Sequence, residues 1–204
     1  MAERHVVACY LLVVHAELWT NLPAVDSDRI RRLRREEYDR LVDAGVFDRE
    51  HVELIRGVII RMPPQGAPHA GPIESLTEVL VLALAGRARV RVQLPLIGPD
   101  DSEPEPDIAV VPFGEPHKEH PSVAHLVIEV ARTSQAYDRG TKGPLYAEMG
   151  VPEYWIVDVP NRTIEVHREP AGDRYARVET LGPGAVITLV AFPDVAVPVV
   201  RVLG

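Results

Sequence analysis

Residues 126–131 read Leu-Val-Ile-Glu-Val-Ala, an apolar run that is interrupted by one acid, Glu129. A short apolar run of this kind predicts a largely buried β-strand. A carboxylate inside such a strand is costly unless it is paired with a buried cation or binds a metal ion. Glu129 is therefore either half of a buried ion pair or a metal ligand, and on this residue alone both interpretations stay open.

Asp107 opens the predicted strand that precedes this one, over residues 108–112. If the two strands are neighbours in a sheet, the carboxylates of Asp107 and Glu129 converge at one point. Two carboxylates that close repel each other unless a cation lies between them, and oxygen ligands alone favour a hard cation such as Mg²⁺. Such an ion can polarise a phosphodiester oxygen and generate hydroxide from bound water. The pair is thus a candidate Mg²⁺ site.

Lys142 lies on the next predicted helix, over residues 141–149, with Tyr146 one turn later. Residues four apart share a helix face, so both side chains can point the same way. An ammonium near the metal would stabilise negative charge on a phosphate or orient the attacking water. Considered by itself, Lys142 is more typical of a surface lysine.

The rest of the chain alternates between predicted helices and strands. Before the carboxylate strands, the patterns predict a helix from about residue 30 to 42, a hairpin over 53–62, a helix from 72 to 85 and a strand over 87–96. After them, they predict strands over 153–159, 163–168, 175–180, 185–190 and 195–202. This order predicts an α/β (α+β) domain, with a mixed β-sheet flanked by helices.

The chain has 204 residues, of which 46% are hydrophobic, and a formal net charge of −8. These values predict one globular domain with a sizeable core. No apolar run reaches the roughly 18 residues of a membrane-spanning helix, and the single cysteine, Cys9, cannot form an internal disulfide. We therefore expect a cytoplasmic protein that does not enter membranes. The negative charge argues against a protein that coats nucleic acids generally.

A basic stripe alternates with apolar residues along the strand predicted over 87–96. It consists of Arg87, Arg89, Arg91 and Gln93. Arginines in this arrangement could contact a DNA backbone, because their guanidinium groups pair well with phosphates. The alternative is a solvated face of an edge strand, whose charges prevent the addition of further strands.

Five segments of the chain have the same order and spacing as the sequence motifs of a known family. They are Pro106 to Val111 (PDIAVV), Leu126 to Val130 (LVIEV), Asp138 to Lys142 (DRGTK), Tyr146-Ala147, and Gly150 to Asp158 (GVPEYWIVD). Together they closely resemble the Uma-type family of bacterial restriction endonucleases, which is placed in the PD-(D/E)XK nuclease superfamily. The resemblance covers about residues 30–204, which implies a restriction-endonuclease-like domain over this range and leaves residues 1–29 as an N-terminal extension of unknown role.

This resemblance implies a restriction-endonuclease-like core and Mg²⁺-dependent hydrolysis of phosphodiester bonds in DNA, with Mn²⁺ as a substitute. Asp107 and Glu129 match the two metal-binding acids. Ala131 occupies the usual position of the superfamily's lysine, and Lys142 resembles a lysine that has migrated to the following helix.

The resemblance also implies roles for two earlier residues. Glu53 matches the family's early acid, which would assist the metal site. His69 matches a histidine before the first core helix, with a role as proton carrier or phosphate contact. Restriction enzymes of this superfamily are often dimeric, so a homodimer is expected by analogy.

Two alternatives remain open beside the nuclease. The first is a catalytically inactive binding or scaffold protein that keeps the nuclease fold, favoured by the net charge and by Ala131. The second is phosphoryl chemistry on another substrate, such as RNA or a nucleotide. One departure from the family is Gly143, which replaces a usual leucine beside Lys142 and could loosen the helix.

Overall fold

The computed structural model describes residues 30–113 and 119–204. From Leu33 onward the chain forms one compact unit. The predicted extension, residues 1–29, lies outside the described residues, and the division of the chain at residue 30 stays a prediction. Among the helices of the described residues, none is both long and apolar enough to cross a membrane.

Two helices and a hairpin precede the main sheet. They are α1 (Arg35–Asp43), β1 (Val52–Ile55), β2 (Val58–Arg61) and α2 (Ala67–Leu84). α1 begins later than predicted because Arg34 is extended, and its N–H donates to the Glu37 carboxylate at 3.0 Å, which caps the first turn. α2 begins earlier than predicted, with Pro68 in its first turn, where the missing N–H costs nothing.

A six-stranded sheet forms the centre of the molecule, with strand order β3-β4-β5-β6-β7-β8. Its strands are β3 (Ala88–Val92), β4 (Ile108–Pro112), β5 (Leu126–Ala131), β6 (Glu153–Asp158), β7 (Thr163–Pro170) and β8 (Tyr175–Leu181). β5 and β6 are parallel and the other neighbours are antiparallel, which confirms the predicted mixed sheet.

The parallel pair β5 and β6 needs a crossover connection, and this connection is helical. It consists of α3 (Gln135–Tyr137), a π-helical turn (Asp138–Lys142) and α4 (Gly143–Glu148). The helix predicted over residues 141–149 is therefore part of a longer helical segment.

Each face of the sheet has its own apolar cluster, because side chains alternate along every strand. α2 covers one face, which includes Ile128 and Val130 of β5. α4 covers the opposite face, which includes Val127 and Ala131. Alternation places Glu129 on the second face, as the sequence predicts, so its carboxylate points toward the crossover helices.

The C-terminal segment differs from the prediction. β9 (Val186–Thr188) and β10 (Ala196–Pro198) pair in a separate two-stranded sheet, and the strand predicted over 195–202 gives way to α5 (Val199–Leu203). Pro198 ends the strand because it lacks an N–H and its φ of −68° suits the start of a helix.

Glu103 connects the loop before β4 to β1 and α1. Its N–H donates to the Leu54 carbonyl at 2.7 Å, and its side chain is buried beside Asp39. Burial raises the pKa of Glu103 from 4.5 to about 7, and the neighbouring Asp39 carboxylate acts in the same direction. The folded protein therefore keeps a proton on Glu103 that the unfolded chain releases above its lower pKa.

We expect this proton to make the protein more stable in mild acid. The contribution is full below about pH 4.5 and is lost as the pH rises through about 7, because the folded pKa lies above the unfolded one. Glu103→Gln should flatten the decline in the free energy of unfolding, measured by urea denaturation between about pH 5 and 8. Glu78→Gln, on the exposed face of α2, is the control. An undiminished decline in Glu103→Gln would contradict the assignment.

Candidate active site

The register of β4 and β5 brings Asp107 and Glu129 together. Ile108 is paired with Ile128 in this antiparallel ladder, so the next residues along, Asp107 and Glu129, face each other on the same side of the sheet. Opposite residues have Cβ atoms about 5 Å apart. The Val130 N–H donates to Asp107 Oδ2 at 2.8 Å, which fixes that carboxylate beside Glu129.

Lys142 bridges Glu129 to a third acid, Glu53 of β1. Its Nζ lies 2.9 Å from Glu129 Oε1 and 3.1 Å from Glu53 Oε2. Tyr146 Oη donates to the same Glu129 oxygen at 2.7 Å. The three charged residues are only 2–5% exposed. Both partners that were predicted to point the same way from the helix therefore meet Glu129.

The carboxylate of Glu53 pairs with Lys142, which is not the arrangement expected of a third metal ligand. Its Oε2 accepts the Lys142 ammonium and also the Glu105 N–H at 3.0 Å. The structure thus places Glu53 beside Lys142, where its carboxylate helps to hold the ammonium. Its proposed assistance to a metal would act through this lysine.

The site contains more negative than positive charge. Asp107, Glu129 and Glu53 supply three carboxylates, against one ammonium from Lys142. Burial raises the pKa of Glu129 to about 8, with Asp107 acting in the same direction and Lys142 opposing it. Ionisation of Glu129 is therefore unfavourable in the protein alone, and a bound cation would reverse that preference.

The other oxygen of Asp107 is surrounded by side-chain nitrogen donors. Its Oδ1 lies 3.2 Å from His69 Nε2, 3.3 Å from Gln65 Nε2 and 3.5 Å from Gln93 Nε2. A carboxylate oxygen can only accept, so Nε2 is the nitrogen of His69 that carries the proton. His69 comes from the first turn of α2, which brings the predicted histidine to the candidate metal site.

The π-helical turn positions Lys142. In this turn the Gly143 N–H donates to the carbonyl of Asp138, five residues earlier, which is the hydrogen-bond pattern of a π-helix. The buried Asp138 carboxyl accepts from Ser134 Oγ at 2.7 Å and holds the start of the turn. Gly143 suits this turn, because a Cβ atom there would lie only 3.2 Å from the Asp138 carbonyl oxygen. The glycine that was expected to loosen the helix instead allows its close packing.

The side chains of the predicted basic stripe have separate partners in the structure. Each arginine has its own partner within the protein, and only Gln93 reaches the acidic site. The partners are the Asp194 carboxylate for Arg87, the Phe113 ring for Arg89 and the Pro95 carbonyl for Arg91. Gln93 leaves the strand because its φ of +51° ends β3 before residue 96 and turns the side chain toward Asp107. Nucleic-acid contact by the arginines stays a prediction.

The donor set fits Mg²⁺. Within residues 30–113 and 119–204, no group of three or more His, Cys, Asp or Glu residues is arranged to hold a metal. Mg²⁺ is commonly bound by one or two carboxylates and keeps several waters, whereas a structural Zn²⁺ site needs four nitrogen or sulfur ligands. No donor from the described residues reaches Glu129 Oε2, which leaves this oxygen for a cation. Asp107 and Glu129 are the residues that would hold the ion.

The sequence did not single out Gln65 or Tyr137 as site residues. Gln65 lies in a proline-rich loop and reaches Asp107 only in the folded molecule.

A cavity of about 370 Å³ opens beside Gln65 and Gln93, with Arg49 and Arg61 also in its lining. A larger cavity of about 740 Å³ lies between α1 and β3, and its lining contains none of Asp107, Glu129, Glu53 and Lys142.

Comparisons with known proteins show the family and the fold of this chain. A family model described as "Uma2: Putative restriction endonuclease" matches residues 35–200. Among solved structures, the chain is similar to a "putative nuclease belonging to DUF820" from Anabaena variabilis ATCC 29413, with a TM-score of 0.68 and 20% identity. The alignment covers 84% of this chain and 97% of that one, and it confirms the predicted fold class. The curated proteins contain no match.

Proposed function

We propose that this chain, which belongs to the Uma2 family of putative restriction endonucleases, hydrolyses phosphodiester bonds in DNA with a divalent cation held by Asp107 and Glu129. The observation that supports this most is the pairing of the two carboxylates across β4 and β5, with the Lys142 ammonium 2.9 Å from Glu129. This arrangement corresponds to the acids and lysine of the PD-(D/E)XK superfamily.

Mg²⁺, or Mn²⁺ in its place, would supply Lewis-acid activation of a phosphate oxygen and of water. The residues around it have separate tasks. Asp107 and Glu129 bind the ion, and the Val130 N–H keeps Asp107 in position. Lys142 stabilises negative charge that develops on the phosphate, or orients the attacking water.

His69 and the two glutamines act from the other side of Asp107. With Nε2 donating to Asp107, the Nδ1 nitrogen of His69 is the one that can accept a proton or meet a phosphate-bound water. Gln65 and Gln93 orient the Asp107 carboxylate and line the cavity beside it. Arg49 and Arg61 in that cavity's lining favour an approach of a phosphate backbone from this side.

A nuclease fold without turnover is the second candidate. It is favoured by the double bridge from Lys142 to Glu129 and Glu53, which satisfies a buried lysine as an ion pair would in a purely structural role. Ala131, in the place of the superfamily's usual lysine, favours it as well.

Incubation with supercoiled plasmid separates the two candidates. In the proposed function, Mg²⁺ or Mn²⁺ supports conversion to nicked or linear DNA, and EDTA stops it. Calorimetric binding of Mg²⁺ without cleavage of DNA, RNA or nucleotides would favour the inactive fold. Cleavage of RNA or nucleotides alone would assign phosphoryl chemistry to a different substrate.

A homodimer and a cytoplasmic location complete the proposal. The homodimer rests on analogy with restriction enzymes of the superfamily. The location is supported by the single Cys9, which cannot form an internal disulfide.

A further inference from the structure

The hydroxyl group of Tyr137 is buried and has no hydrogen-bond partner within the described part of the chain. Native proteins rarely leave a buried hydroxyl unpaired, because it loses its bonds to water without replacement. The other four described tyrosines all donate to an oxygen of the protein. Tyr38 donates to the Val52 carbonyl, Tyr146 to Glu129, Tyr154 to the Asp138 carbonyl and Tyr175 to the Val151 carbonyl.

Tyr137 lies next to the turn that carries Lys142. It ends α3 immediately before the π-helical turn, and Lys142 is five residues further on. A turn with i→i+5 geometry brings residues with this spacing to the same side of the helix. Burial raises the pKa of the Tyr137 hydroxyl, with Glu53 as the largest electrostatic cause and Glu129 and Lys142 also in range. The hydroxyl is therefore protonated at neutral pH and able to donate.

Neither Glu129 nor Glu53 accepts a hydrogen bond from Tyr137 within the described residues. Tyr146 and Lys142 already donate to Glu129 Oε1, and Lys142 and the Glu105 N–H already donate to Glu53 Oε2. The Tyr137 hydroxyl is an unused hydrogen-bond donor near the Lys142 ammonium. These two groups suit a ligand that carries hydrogen-bond acceptors. Phosphate oxygens are acceptors only, and a positively charged group next to a hydroxyl donor is a common way to bind them.

We propose that Tyr137 is a further catalytic residue, whose hydroxyl donates a hydrogen bond to an oxygen of the phosphate that is cleaved. This inference rests on the proposed function and adds a substrate contact to it. The bond forms only when the strand is bound, which explains why the hydroxyl has no partner in the protein alone. Together, Tyr137 and Lys142 would bind the phosphate from the crossover helices, beside the carboxylates that would hold the cation.

Tyr137→Phe tests the proposal, because it removes one oxygen atom and no hydrogen bond of the protein. We expect an unchanged or higher Tm, and a single-turnover rate constant for cleavage of a labelled DNA duplex that falls about tenfold or more at saturating enzyme. Tyr175→Phe is the matched control. It removes a bond of 2.9 Å to the Val151 carbonyl, so its Tm should fall while its rate constant stays that of the wild type.

The possible outcomes separate this inference from the proposed function. Wild-type cleavage with an equally fast Tyr137→Phe would overturn the inference and leave the nuclease intact. A Tyr137→Phe variant that loses stability and activity in parallel would assign the hydroxyl a structural role, which also overturns it. If the wild type cleaves no DNA with either metal, the proposed function fails first, and the inference fails with it.

Discussion

Asp107→Asn and Glu129→Gln are each expected to abolish metal-dependent cleavage of DNA. Each replacement keeps the shape of the side chain but removes the charge that binds the cation. Metal ions contribute several kcal/mol of transition-state stabilisation, so the rate should fall by about 10³-fold or more. The first-order rate of plasmid nicking in Mg²⁺ and in Mn²⁺ measures the loss.

The folded state should survive these changes. In Glu129→Gln, the amide oxygen can still accept the hydrogen bonds from Lys142 and Tyr146, so the packing of this site is kept. Asp194→Asn is the matched control, because Asp194 is an exposed acid paired with Arg87 at the other end of β3. Cleavage by Asp107→Asn or Glu129→Gln within about tenfold of the wild-type rate would remove these residues from the chemistry.

Lys142→Met is expected to reduce both activity and stability. Without the ammonium, Glu53 and Glu129 are left as buried acids with no cation between them. Removing one partner of a buried ion pair typically destabilises a protein by about 3–5 kcal/mol. Urea unfolding at neutral pH measures the change, and the loss of charge stabilisation at the phosphate should lower the cleavage rate as well.

Two further variants show whether the loss comes from the buried charges. Arg40→Met breaks the exposed pair with Glu36 on α1 and should cost only about 0–1 kcal/mol. The double variant Lys142→Met with Glu129→Gln should recover part of the lost stability, because it also removes one of the stranded acids. A Lys142→Met protein as stable as the wild type would contradict the buried bridge.

The sequence predicted the parts of this site that depend on local periodicity. Strand alternation placed Glu129 on one face of the sheet, and helix spacing placed Lys142 and Tyr146 on one side of the crossover. These features follow from the two residues per repeat of a strand and from one turn of a helix. The structure agrees in all three positions.

The remaining features depend on contacts that are distant in sequence. The π-helical turn between Tyr137 and Gly143 has no periodic signal, since its extra residue is accommodated by packing against β6 and by the buried Asp138. Gln93 was assigned to the basic face, but its positive φ turns it to Asp107. Gln65 approaches Asp107 from a loop 42 residues away, which no local pattern could predict.

The most direct test of the account is to locate a divalent cation in crystals soaked with MnCl₂, using the anomalous signal of manganese. We expect one Mn²⁺ ion bonded to a carboxylate oxygen of both Asp107 and Glu129, and no ion at this position in crystals of Asp107→Asn. An ion bound elsewhere, or a wild-type site that takes up no manganese while Lys142 continues to bridge Glu129 and Glu53, would contradict the shared cation on which the proposed nuclease depends.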